Sequence, residues 1–173
     1  DLFEPFSDRM SPVAVIPMHD PEEAVAELEH AVGELGLKAV TMNSLIERPV
    51  GRVVDERPNA SDLARWFDVI GLDSAHDYDP VWQKCRELGV SPTFHRGSRG
   101  KALRVSPTNF CYNHIGHFAA ASEATCKALF LGGVSRRFSD LNFGFLEGGV
   151  GFACLLYADL IGHWQIRNGE ALE

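Results

Sequence analysis

One local grammar recurs along this chain and constrains the fold more than any single residue: a helix start, an apolar stripe, a glycine stop, then a short apolar strand. Asp20-Pro21-Glu22-Glu23 opens the first round, with Asp20 as N-cap, proline at the first helical position and Glu23 three residues after the cap. Ala24, Val25, Leu28, Val32 and Leu35 follow at helical spacing as one buried stripe, Gly36 stops the helix, and Lys38 to Met42 forms a strand. Asp79-Pro80 opens the second round, with Trp82, Cys85 and Leu88 as the stripe, Gly89 as the stop and Pro92 to His95 as the strand. The third is longer: His114 to Leu131 is mainly helical, Gly132-Gly133 ends it, and Leu141 to Glu147 is the strand. A strand over Pro12 to Pro17 precedes them all. A helix is expected over Ala60 to Phe67, an extra strand at Val69 to Leu72, and a last helix from Val150 to Arg167. Helices alternating with short apolar strands are what parallel βα units look like.

Two of these strands end on residues able to bind a metal, His95 and Glu147. In barrel-type α/β folds the C-terminal strand ends converge on one rim, and chemistry sits there. Four or five strands fall short of the eight in a closed barrel, and 173 residues fall short of its length of roughly 250. The expected fold is therefore α/β. Residues 1–173 are expected to form one domain, an internal portion of a larger (β/α)8 TIM-type barrel. An open doubly wound sheet is the alternative. Gly149-Val150-Gly151-Phe152-Ala153-Cys154 approaches a dinucleotide fingerprint but lacks its final small residue and carries little weight.

Composition narrows the function classes. A net charge of −8 argues against nonspecific nucleic-acid binding, which needs basic surface. The longest apolar segment, Val150 to Trp164, is too short to span a membrane and carries Asp159. Cys85, Cys111, Cys126 and Cys154 lack metal-finger spacing and read as buried thiols in a reducing compartment. With no secretory signal visible, the expected location is cytoplasmic. The expected partner is a small-molecule substrate, with neither nucleic acid nor membrane, and a homodimer is compatible.

Each candidate residue has a structural alternative. His95 is a metal ligand whose direction the strand end fixes, or a core histidine bonded to backbone. Glu147 has no positive neighbour in sequence, so its burial calls for a metal, a substrate role or an arginine such as Arg137. His114 and His117 lie at i and i+3, on one face if helical, with Asn113 as a cap; they serve proton transfer or simply pack. Asn113 and His114 are expected to touch substrate, and His117 is favoured for chemistry. The basic stretch Arg96, Arg99, Lys101 and Arg104 guides an anionic substrate, Arg96 first, or is a solvated loop. His19, His30, His76 and His163 show no ligand spacing.

Gly71-Leu72-Asp73-Ser74, Asp77-Tyr78-Asp79-Pro80-Val81-Trp82, Phe94-His95, Asn113-His114-Ile115-Gly116-His117-Phe118 and Leu146-Glu147-Gly148-Gly149-Val150-Gly151 together resemble the amidohydrolase-2 branch of the amidohydrolase superfamily. That branch includes the aminocarboxymuconate-semialdehyde decarboxylase-like enzymes, and the resemblance runs from Pro12 to Asn168. It implies a (β/α)8 barrel holding a divalent metal through a His-x-His pair on the first strand, a histidine on a middle strand and an aspartate near the last. His95 is similar to the middle-strand histidine; the other ligands have no counterpart here, so the resemblance implies that the first and last strands are missing from this chain. The implied metal is zinc, with iron or manganese as alternatives. Decarboxylase-type relatives often carry a histidine before glycines at the sixth strand end, where this chain has Glu147 before Gly148 and Gly149. The leading expectation is a metal-dependent hydrolase of amides, esters or thioesters, with Glu147 as ligand or base and His117 as electrophile or proton donor. A non-oxidative decarboxylase of an aromatic or unsaturated acid stands second, and an inactive fragment of such an enzyme third.

Overall fold

The computed structural model describes residues 4–60, 63–95 and 105–167. The first strand, β1 (Val13–Ile16), leads into α1 (Pro21–Leu28), capped as its sequence requires by Asp20, whose carboxylate accepts from the Glu22 N–H. The helix continues as a π-helical turn over Glu29–Glu34 and returns through β2 (Ala39–Met42). Next come β3 (Ile46–Pro49), α2 (Gly51–Glu56) and β4 (Arg65–Asp68). Then follow α3 (Asp79–Leu88), ended by Gly89 in the left-handed conformation, and β5 (Pro92–Phe94). The remainder is α4 (Phe110–His114), α5 (His117–Leu131), α6 (Val134–Arg137), β6 (Gly144–Phe145) and α7 (Gly151–Arg167).

Four strands form one sheet in the order β1-β2-β5-β6, every pairing parallel. Ile16, Met42, Phe94 and Phe145 stand in register across it. Ala14, Ile16, Val40, Met42 and Phe94 belong to the same buried cluster as Ala24 and Leu28 of α1 and Val81, Trp82 and Cys85 of α3. Those helices therefore cover one face of the sheet. The other face is open at β1, where Val15 is 70% exposed. Because all strands run one way, their C-terminal ends lie along one rim.

Several expectations are corrected. The segment expected as a helix over residues 60–67 contributes β4, which pairs antiparallel with β3 in a separate two-stranded sheet. The buried Asp68 explains this: it accepts from Arg48 Nε at 2.5 Å, from Ser74 Oγ at 2.8 Å and from the Ile70 N–H at 2.9 Å, fixing a crossing between strands that periodicity does not encode. Residues 69–72 form no strand; Ile70 adopts a left-handed φ of 44° in a tight turn. Leu35 is exposed rather than in the stripe, since the π turn shifts the register after Leu28 and buries Ala31 instead. The last strand is two residues long, and α4 and α5 are separate helices. Of the four cysteines, all free, Cys85 is buried but Cys111 and Cys154 are exposed. Among the described residues no helix is long and apolar enough to cross a membrane.

Candidate active site

Side chains alternate across a strand, so Phe94 entering the helix-covered core sends His95, the next residue, toward the opposite side at the rim. The neighbouring strand delivers Glu147 to the same place: the Leu146 N–H donates to Phe94 O at 2.9 Å, extending the β5–β6 pairing by one rung. His95 Nε2 and Glu147 Oε2 then lie 3.2 Å apart, with side chains 44% and 59% exposed. A pair this open to water adds little stability. Yet Glu147 holds a left-handed φ of 59°, a conformation that costs a non-glycine residue about 1 kcal/mol. Strain of this kind is retained where the position of a group matters. Arg137 is not its partner, as that guanidinium bonds both oxygens of Asp79.

The histidines of the α4–α5 segment join this pair. Gly116 in the left-handed conformation (φ 79°) breaks the helix between them, so they do not share a helical face. The turn nevertheless brings the His114 and His117 rings to 4.4 Å between centroids. His117 Nε2 is buried with no hydrogen-bond partner among the described residues. Burial, helped by the neighbouring His114, pushes the His117 imidazole below its ordinary value of 6.5, while Glu147 pulls the other way. Neutral imidazole is thus its favoured form near pH 7.

Phe118, which sequence reasoning missed, ties the two groups together. Its ring stacks on His95 at 5.3 Å with 24° between planes and meets His117 edge-on at 4.2 Å. Only its place beside His117 hinted at this. Asn113 does not cap α5. It clasps Ser106 instead, accepting from the Ser106 N–H at 2.7 Å and donating to Ser106 O at 2.9 Å, while Asn109 caps α4. Arg96 and the rest of the basic stretch lie outside the described residues.

A cleft of about 710 Å³ opens elsewhere, between α1 and residues 75–80. Three of its four carboxylates are engaged: Asp20 and Asp77 accept from backbone N–H groups, and Glu29 pairs with Lys84. The side chains brought together at the strand ends are instead His95, Glu147 and, through Phe118, His117.

An imidazole and a carboxylate thus sit on adjoining strand ends of a one-way sheet, on the rim where α/β barrels place their chemistry. The chain belongs to the amidohydrolase family, whose sequence profile matches residues 2–168. No curated protein matches it. Among solved structures it is similar to 2,6-dihydroxybenzoate decarboxylase complexed with 2,6-dihydroxybenzoate, at a TM-score of 0.55 and 23% identity, over 82% of this chain and 39% of that one. It is also similar to a Staphylococcus aureus protein assigned by name to the amidohydrolases, at a TM-score of 0.52 and 16% identity, over 82% of this chain and 42% of that one. The chain thus spans about two fifths of the length of both. The fold is part of a (β/α)8 barrel whose sheet is not closed.

Members of this superfamily generally use divalent metals. An imidazole nitrogen and a carboxylate oxygen suit such an ion in type. In number they fall short: among the described residues no group of three or more His, Cys, Asp or Glu side chains could hold one.

Proposed function

We propose that the chain carries part of the active site of a metal-dependent hydrolase acting on a small carbonyl compound, an amide, ester or thioester. The observation that carries this reading is the 3.2 Å approach of His95 Nε2 and Glu147 Oε2 at neighbouring strand ends. A divalent ion, zinc first and iron or manganese as alternatives, would make a water acidic enough to deprotonate near pH 7 and would polarise the carbonyl. His95 would hold that ion through a ring nitrogen. Glu147 would either share in holding it or accept the proton of the attacking water on Oε2. His117, neutral and with Nε2 unengaged among the described residues, would donate a hydrogen bond from that atom to the substrate oxygen. His114, 4.4 Å away, would orient His117 or contact the substrate. In a longer relative, further donors would come from strands this sheet does not contain.

Zinc titration by calorimetry, run on a full-length barrel that contains this chain, with hydrolysis assays on a panel of aryl esters, thioesters and anilides, tests this. Zinc binding that weakens about tenfold or more in His95→Ala, with zinc-dependent cleavage lost in Glu147→Gln, is the expected result. Unchanged zinc affinity in His95→Ala, or cleavage surviving in both variants, overturns it.

Non-oxidative decarboxylation of an aromatic acid is the second reading. It draws on the flat-ring surroundings: Phe110 stacks on His114 at 5.1 Å, and Phe118 stacks on His95. Carbon dioxide release from a hydroxybenzoate without hydrolytic cleavage would select it.

A further inference from the structure

We infer that α5 is the gauge that sets the His95–Glu147 approach, with Phe118 and Ser122 as its positioning residues; the inference rests on reading that pair as the reactive one. Phe118 and Ser122 are four residues apart and so share one face of the helix. Phe118 fixes one half of the pair by stacking on the His95 ring. Ser122, buried, fixes the other half through the turn that carries Glu147.

The three residues of that turn divide the work. Glu147 and Gly149 both take left-handed backbone, with φ of 59° and 67°. Gly148 between them does not, so it has no conformational need to be glycine. Its need is space. A Cβ at Gly148 would stand 2.6 Å from Ser122 Oγ and 2.9 Å from both Ser122 Cβ and Phe152 Cε1. The turn therefore sits directly on α5, and the Ser122 side chain, with the Phe152 ring of α7 beside it, determines how close it comes. Because His117 opens the same helix, all three candidate groups take their positions from one rigid element.

Side-chain nuclear magnetic resonance of His95 in the unloaded chain tests this without metal or turnover. The signature of the pair is the change in the His95 ring ¹⁵N and ¹H shifts on Glu147→Gln. That signature is expected to be lost in a Gly148→Ala background and regained in Gly148→Ala/Ser122→Gly, where the nearer obstruction is gone and only the edge of the Phe152 ring remains to give way. Glycine within α5 lowers thermal stability, so recovery of the signature with a falling melting temperature separates positioning from general structural support. Phe118→Leu should move the His95 ring protons downfield by removing the stacked ring current, with the β5 amide pattern intact. If Gly148→Ala does not fold, Ser122→Gly alone serves, with a weakened signature expected. A signature indifferent to Gly148→Ala, unrestored by Ser122→Gly or untouched by Ser122→Gly alone overturns the inference, as do unmoved His95 protons in Phe118→Leu. Absent hydrolysis with intact coupling would instead sink the proposed function and leave this inference standing.

Discussion

Arg48 and Asp68 face each other across the β3–β4 hairpin, Nε to Oδ2, with the aspartate fully buried and the arginine nearly so. The same guanidinium donates to Tyr78 Oη at 2.9 Å and to His19 O at 3.1 Å, and the Tyr78 hydroxyl donates to Met18 O at 2.6 Å. The hairpin is thereby tied to the segment just beyond β1. Asp68→Ala strands a buried guanidinium and should cost about 3–5 kcal/mol in urea unfolding. Asp68→Asn, which keeps acceptor capacity, should cost less. A loss below about 1 kcal/mol in Asp68→Ala would remove this pair from the account of the fold.

Tyr78 gives the same network a pH signature. Burial, partly opposed by Arg48, pushes its phenol from the ordinary 10 up to about 12. The folded state thus holds the proton more tightly than the unfolded chain. Its contribution is complete below pH 10 and fades as pH rises toward 12, on the order of 2 kcal/mol in all. Urea midpoints taken between pH 9 and 12 should fall more steeply for this chain than for Tyr78→Phe.

His117 should titrate below 6.5 by ring-proton resonance, since burial is the leading cause of its shift. His114→Ala should raise the midpoint by removing a like charge, and Glu147→Gln should lower it further by removing an opposite one. The folded value is the depressed one, so the stability tied to it is present above pH 6.5 and lost as pH falls through the folded midpoint. A midpoint unmoved by either substitution would separate His117 from its assigned neighbours.

Gly132 is a packing glycine with an ordinary φ of −77°. A Cβ there would stand 1.7 Å from Gly71 O and 2.9 Å from Ala128 O, both backbone atoms that cannot rotate away. Gly132→Ala should therefore cost about 3 kcal/mol or more by overpacking. Thermal unfolding of that variant, beside Gly162→Ala where the space is open, measures the difference.

How much of this was legible depended on how local its cause was. The Asp20 cap, the Gly89 stop and the strands feeding His95 and Glu147 follow from short-range chemistry, and the structure carries all of them. The β3–β4 hairpin was illegible because its logic is Arg48 meeting Asp68 twenty residues on, and charged strand residues read as loop or helix surface. The π turn after Leu28 leaves no periodicity signal until the register has slipped, which is why Leu35 was misplaced. At the site, strand ends announced His95 and Glu147. Phe118 and Ser122 act by stacking and by occupied space, which exist only once α5 lies against the two strand ends.

The left-handed turn at Glu147 sets folding and chemistry against each other at one position. Glycine or asparagine would enter that backbone shape more easily, so a chain optimised for stability alone would discard the carboxylate. Any sturdier variant found by selection for heat resistance should therefore be inspected first at this residue, where robustness and reactivity compete for the same side chain.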